Sequence, residues 1–284
     1  MIVFMTLNPR QSALIDAVRE SGAITIEALA QRFGVTLQTV RRDVNLLAQE
    51  GLLARFHGGV RIEASTTENI AYQQRQALHA EAKRRIGLAV ARHIPEGCSL
   101  ILNLGTTTEA VARALTQHRG LRVITNNLNV ADILSANPDC EIIIAGGTMR
   151  AGDRGIIGEA TIEFIRRFKV DIGVICISGL EADGTLRDYD LREVSVARAI
   201  MAQSREVWLA ADNSKYQRQA LVELANISQV HRFYTDLPPQ APLARVIKQA
   251  GVRCELASAP ADAVASASSS APASAEAHAH PAQP

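Results

Sequence analysis

The sequence predicts an α/β protein in two unequal parts, a small helical domain closed by a hairpin and a larger domain built on a mainly parallel sheet. Three observations carry that expectation. Residues 1–62 hold three amphipathic stretches punctuated by Gly34 and followed by the pair Gly58 and Gly59. Residues 63–71 are mostly polar, and from Ser99 onward short β-branched runs alternate with helical ones. With 284 residues and 47% hydrophobic content, the chain is long enough to bury more than one core.

In the first part, Leu14, Ile15 and Val18 form one face of a first helix. The stretch TIEALAQRF makes a second, with Thr25 as N-cap and Leu29 and Phe33 turned inward. Gly34 supplies the positive-φ turn into a third helix, TLQTVRRDVNLLAQEG, where Val40, Val44 and Leu47 recur at core-facing spacing. That leaves Gln38, Thr39, Arg41, Arg42 and Asn45 on the outer side, with Thr36 at the entry. The segment GLLARFHGGVRI then places Arg55, His57 and Arg61 around a glycine turn. Helix, glycine turn, helix and basic hairpin in this order make a winged helix-turn-helix. Its third helix fits the DNA major groove, where Gln suits adenine and Arg suits guanine or phosphate. The candidate DNA contacts are Thr36, Gln38, Thr39, Arg41, Arg42, Asn45, Arg55 and His57. A basic helical face alone would equally suit a small protein-binding domain; the order of the parts favours DNA.

Residues 63–71 read as a linker. Residues 72–94 read as one long amphipathic helix, with Ile86, Leu88, Val90 and Ile94 among its apolar positions, stopped by Pro95 and Gly97. The runs SLILNL, LRVIT, CEIIIAG, DIGVICI, EVWLAA and HRFYT follow, most separated by stretches such as EAVARAL and EATIEFIRRF. Strands apolar on both faces, alternating with helices, indicate a mainly parallel sheet covered on both sides. This domain is expected over 72–256. From 257 to 284 the chain is almost only Ala, Ser and Pro, a composition that does not repay its ordering entropy, so a disordered tail is expected.

Composition narrows the function. Thirty Lys plus Arg against 29 Asp plus Glu leave a net charge of +1, so any affinity for nucleic acid must come from a local basic surface. The four cysteines are far apart with no CxxC pair, which fits neither zinc nor a disulfide framework, and they read as reduced, mostly buried thiols. The opening MIVFM is too short for a signal peptide or span, and no later run approaches the roughly 20 apolar residues of a membrane helix. A cytoplasmic protein with no metal and no cofactor is expected.

Ligands of such sheets sit at the carboxyl ends of the strands. There Gly105, Thr106, Thr107 and Thr108 follow SLILNL and open a helix, so their N–H groups and hydroxyls converge where an anion is favoured. An empty threonine cap would use the same residues. Thr125, Asn126 and Asn127 end the next strand and can bond a polyol; Gly146 and Gly147 allow close backbone approach. Arg150 suits either a ligand or the surface, and Lys215, after EVWLAA, is the cation best placed for a phosphate. Asp153, Asp183 and Glu193 either position ligand hydroxyls or brace loops. The spacing GIIG, 155–158, reads as a turn.

The stretch LAQRFGVTLQTVRRDVNLLAQEGLLARFHGGV resembles the N-terminal signature of the DeoR family of sugar-metabolism regulators. TNNLNVADIL, GGTMRAGDRGIIGEATIEFI, ISGLEADGTLRDYDLREV and ADNSKY extend the resemblance through the second domain. It implies a C-terminal sensor domain similar in fold to ribose-5-phosphate isomerase and the CoA transferases. It further implies a repressor of a carbon-metabolism operon, released from operator DNA by a phosphorylated small-molecule inducer. Glycerol 3-phosphate is the first expectation, with fructose, tagatose or deoxyribose phosphate open as alternatives. A homo-oligomer, dimer or tetramer, is implied as well. One departure bears on the ligand. The family usually has Asp two residues before the glycine of its GTT motif, whereas this chain has Asn103, which offers a hydrogen bond without a charge. A sugar-phosphate isomerase on the same fold is the alternative of another class. The attached DNA-binding segment, and the lack of GxSxG, GxxxxGK, GxGxxG or HExxH, argue against an enzyme.

Overall fold

The computed structural model describes residues 8–21, 23–49, 52–56, 58–62, 72–216 and 218–257. His57, the linker 63–71 and the tail from 258 lie outside them, and so do the expectations made for those segments.

The N-terminal unit runs α1 (Pro9–Ser21), β1 (Ala23–Thr25), α2 (Ile26–Phe33), α3 (Leu37–Gln49), β2 (Leu53–Phe56) and β3 (Gly59–Ile62). Leu14, Val18, Leu29, Val40, Val44, Leu47, Leu53 and Val60 form its core. Thr25 caps α2 by accepting from the Ala28 N–H at 3.1 Å, and Gly34 ends it at φ 61°. The hairpin β2–β3 is the expected wing. The strand β1, too short to leave a pattern, adds a third strand antiparallel to β3. Arg10 clamps α1 to α3 through a two-pronged contact with the buried Asp43, at 2.7 and 3.2 Å.

The larger unit continues with α4 (Tyr72–Ala77), α5 (Ala80–His93), β4 (Ser99–Leu102), α6 (Thr106–Ala114), β5 (Leu121–Thr125), α7 (Leu128–Leu134) and β6 (Cys140–Ile144). Then come β7 (Thr148–Arg150), β8 (Gly155–Ile157), α8 (Glu159–Ile165), β9 (Val170–Ile175), β10 (Gly179–Leu180), β11 (Thr185–Asp188) and α9 (Leu191–Ala202). The chain ends through β12 (Ser204–Ala210), β13 (Val222–Asn226), β14 (Arg232–Thr235), α10 (Ala241–Gln249) and β15 (Arg253–Leu256). Seven strands form one sheet in the order β15-β14-β12-β9-β4-β5-β6, every pair parallel. Alternation along the strands sends Ile101, Ile124, Ile175 and Leu209 to a face covered by α8, α9 and α10. Leu100, Leu102, Val123 and Trp208 go to the face covered by α5, α6 and α7.

Four details depart from the sequence expectation. The helix expected over 72–94 is broken: His79 takes a left-handed conformation, φ 53°, between α4 and α5. The break is held by Lys83, whose ammonium folds back to donate to the carbonyls of Arg75 and Leu78, and Leu88 faces outward. Ala257, assigned to the tail, is buried and donates to Thr235 O at 2.8 Å, prolonging the sheet. The seventh strand β15, the antiparallel set β10-β11-β13 and the pair β7-β8 lie outside the sequence expectation, because runs of two to five residues are too short to show an alternation. Of the cysteines only Cys98 is buried; Cys254 is exposed.

The helices α5 and α6 pack closely at Gly87. A Cβ on Gly87 would sit 2.5 Å from Ala110 O. In an open helix Gly→Ala stabilises by roughly 0.5–1 kcal/mol, but here overpacking costs about 1–3 kcal/mol. Gly87→Ala is therefore expected to lower the thermal midpoint, by about 2–4 °C per kcal/mol. A raised midpoint would show that the two helices separate freely.

Candidate functional site

Two surfaces carry chemistry, one on each unit. On α3, Val40, Val44 and Leu47 are buried, which turns Gln38, Arg41, Arg42 and Asn45 to solvent. Thr36 caps this helix: its Oγ accepts from the Thr39 N–H at 3.2 Å and lies 2.9 Å from Thr39 Oγ. Arg55 on β2 donates to Asn45 Oδ1 at 2.6 Å, which ties the wing to the helix. The structure thus brings seven of the sequence-derived residues onto one side, with Thr36, Asn45 and Arg55 also bracing it.

The second surface is an enclosed cavity at the carboxyl ends of β4, β9 and β12. Its walls include Asn103, Gly105, Thr106 and Thr107 after β4, Cys176 and Ser178 after β9, and Lys215 after β12. Gly105 has φ 144°, and a Cβ there would lie 2.8 Å from the Cys176 Cβ, so glycine lets the loop after β4 close on β9. Thr108 does not face the cavity; its hydroxyl is 2.7 Å from both Asn103 O and Gly105 O, locking the turn that aims α6. Burial pulls the Lys215 ammonium down to about 8, against the opposing carboxylate of Asp212. For Asp212 burial works upward and is the largest single effect, but the Lys215 charge, the Ser214 hydrogen bond and the Lys83 charge together outweigh it, and the carboxyl titrates below its usual range.

The other candidates are placed elsewhere. Thr125 donates to Leu102 O at 2.7 Å, Asn126 donates to Ile156 O at 3.0 Å, and Asn127 caps α7 by accepting from the N–H of Asn129 at 2.9 Å. All three serve the fold's own hydrogen bonds. Gly147 is glycine because a Cβ would overlap Thr161 Oγ, which donates to Gly146 O at 2.9 Å. That close approach is to α8. Arg150 meets three carboxylates: Asp153 at 2.5 and 2.9 Å, Asp190 at 3.1 Å, and Glu193. Asp183 is an exposed turn residue accepting from the Thr185 N–H.

Residues the sequence reading missed complete the walls. Tyr72 and Arg75 come from α4, and Asp188 from β11. Tyr72 shares its hydroxyl with Glu109, at 2.9 and 3.0 Å, and with Asn129. Spaced along a helix in a polar stretch, Tyr72 and Arg75 look like solvated positions. Only the DYDLRE run, with three acids in six residues, offered a signal for Asp188. Burial pushes Asp188 up, and it pushes Glu193 up to about 7 with Asp188 adding to the effect.

A winged helix-turn-helix followed by an α/β unit whose strand ends line a cavity of mixed charge has the architecture of a ligand-responsive DNA-binding regulator. Comparison with known proteins agrees. Residues 10–66 match the DeoR-like helix-turn-helix domain and residues 78–237 match the DeoR C terminal sensor domain. The chain is 43% identical over 252 residues to the glycerol-3-phosphate regulon repressor of Escherichia coli strain K12, covering 89% of this chain and 100% of that protein. It is 42% identical over 243 residues to the HTH-type transcriptional repressor CsqR of the same organism, covering 85% of this chain and 93% of that protein. The chain belongs to the DeoR family of transcriptional regulators. Ribose 5-phosphate isomerase A from Neisseria gonorrhoeae is similar over 47% of this chain and 52% of that one, at 11% identity and TM-score 0.36, a distant likeness on which nothing rests. Among the described residues no helix is long and apolar enough to cross a membrane.

The acid pair makes a pH signature. Glu193 titrates near 7 when folded and near 4.3 when unfolded, so its stabilisation is present below about 4.3 and is lost as pH rises through about 7. Thermal midpoints of the wild type should fall relative to Glu193→Gln between about pH 4.5 and 7.5. Parallel profiles would contradict the buried protonated acid.

Proposed function

We propose that this protein is a cytoplasmic transcriptional repressor that holds operator DNA through α3 and the wing, and is released when a phosphorylated metabolite binds the cavity. Residues 1–62 form the DNA-binding unit, 63–71 the linker and 72–256 the sensor. The single observation that carries the sensor reading is the meeting of Lys215 with the first turn of α6 in one enclosed cavity. A helix N-terminus and a cation together favour a dianion, and Asn103 beside them offers an amide to a ligand hydroxyl. Glycerol 3-phosphate is the inducer this reading puts first, supported by the relatives named for its regulon. Another sugar phosphate stands second, because CsqR is nearly as similar and Asn103 removes a charge from the site. Paired DNA-binding units on a palindromic operator require at least a dimer.

The test is operator affinity with and without glycerol 3-phosphate, for wild type and for Lys215→Ala. The metabolite should weaken wild-type binding about 10- to 100-fold, a coupling of about 1.4–2.7 kcal/mol, while Lys215→Ala holds the operator and is not released. If only another sugar phosphate releases it, the inducer is wrong; if none does, the sensor reading falls.

Arg41→Ala and Arg42→Ala separate base reading from phosphate contact on the DNA side. Loss of a base contact should cost roughly 1–3 kcal/mol on the operator and relax preference at that base. Loss of a phosphate contact should weaken all sequences alike and lower the salt slope by about one. Gel-shift titrations on operator and scrambled DNA read both; unchanged affinity in both variants would remove α3 from the interface.

Anion binding should also depend on pH through Lys215. A bound dianion raises the ammonium's pKa, so above about 8 binding must take up a proton, and affinity falls by up to about tenfold per pH unit. Calorimetry at pH 7 and pH 9 checks this.

A further inference from the structure

The cavity is lined on one side by the first described element that follows the DNA-binding unit in the chain. The helix α4 begins at Tyr72, ten residues after the end of the wing strand β3 at Ile62, and it is pinned at both ends. Tyr72 reaches Glu109 and Asn129, and the Arg75 carbonyl receives the Lys83 ammonium and, at 3.4 Å, the Thr106 hydroxyl. The guanidinium of Arg75 meanwhile points into the cavity. Its ionic contact with Asp153 is weak: Nη2 stands 3.4 Å from Oδ2, while Arg150 holds the same carboxylate at 2.5 and 2.9 Å. Arg75 Nε is buried with no hydrogen-bond partner among the described residues. A buried donor of this kind is costly, and a guanidinium presents its donors as a fork that matches phosphate oxygens. The space left is about 40 Å³, room for about three waters at roughly 10–15 Å³ each. A glycerol phosphate fills more than that, and the open groove beyond shares Tyr72, Arg75, Asp153 and Glu193 with the cavity, so a ligand larger than the enclosed space lies against α4.

We infer that Arg75 is an inducer-binding residue, and that α4 is the element through which occupancy of the cavity reaches the DNA-binding unit. The inference rests on the cavity being a phosphate-ester site. A dianion draws Arg75 away from Asp153, which keeps Arg150 as its partner. The same anion, at the first turn of α6, competes for the Thr106 hydroxyl that now holds the Arg75 carbonyl. Both exchanges loosen the present seat of α4 and build another around the ligand. A ligand shifts a conformational equilibrium only through contacts that differ between the two states, and Arg75 supplies such a contact from the moving element itself.

Wild type, Arg75→Gln, Arg75→Lys and Asp153→Asn are titrated with glycerol 3-phosphate by calorimetry. Operator affinity is then measured without the metabolite and at a concentration saturating each variant. Arg75→Gln should bind at least about tenfold more weakly, the scale of a lost charge-assisted bond, and its ratio of operator affinities should fall close to one even at saturation. Arg75→Lys should recover part of the affinity, because it keeps the charge and loses the fork. Asp153→Asn removes the competing carboxylate and should bind the metabolite several-fold more tightly, a gain that misfolding cannot mimic. The inference is overturned if Arg75→Gln binds as the wild type does, if at saturation it releases the operator as fully, or if Asp153→Asn binds no more tightly. A wild type that binds no phosphate ester defeats the sensor reading itself, and that result is visible before any variant is made.

Discussion

All seven strands of the large sheet run the same way, and the placement of the cavity depends on that constraint. Parallel strands must be joined by crossovers, and here the crossovers put helices on both faces. The polar turns after β4, β9 and β12 therefore gather at one edge, with the N-terminus of α6 aimed at the same place. Nothing in the turn sequences requires Asn103, Cys176 and Lys215 to be neighbours. They are neighbours because β9 lies between β4 and β12 in the sheet.

What gathers there is mostly charge, and the fold arranges it in sets. Arg150 is surrounded by Asp153, Asp190 and Glu193; Lys83 turns its ammonium onto two carbonyls; Asp188 accepts from Ser178 at 2.8 Å. Such networks seldom contribute net stability, because desolvation offsets the Coulomb gain, but they hold geometry. Two cations stand apart from the saturated set. Lys215 faces Asp212 while buried enough to lose much of its basicity, and Arg75 meets the Tyr72 ring and a carboxylate that another arginine already holds more closely. A site whose cations are incompletely satisfied is one that gains by taking an anion.

The N-terminal unit solves a different problem with a small core. Arg10 and Asp43 lock α1 to α3 by a two-pronged contact, and Asn45 and Arg55 join α3 to the wing. The outer face of α3 is thus held on a rigid base before any DNA arrives, which limits the entropy lost on binding. Between the units, the left-handed His79 ends α4 after six residues and makes it a separate piece from α5, which packs closely on α6.

Periodicity and punctuation determined much of this protein from the sequence alone. The recurrence of Val40, Val44 and Leu47, the Thr25 cap, the glycine at 34 and the β-branched runs each depend on contacts within a few residues, so their signals are local. The turn at Gly105 to Thr107 and the position of Lys215 after a strand were legible for the same reason. The tertiary structure alone decided which polar residues meet. Thr125, Asn126, Asn127 and Gly147 carry the same residue types as a ligand site, yet their partners are Leu102, Ile156, the start of α7 and Thr161. Arg75 and Tyr72 look in the sequence like solvated residues of one long helix, but the left-handed His79 makes α4 a separate helix, and both residues line the cavity. Local patterns record the backbone's own preferences, whereas the company a charged side chain keeps is set by segments tens of residues away, and no short window of sequence contains it.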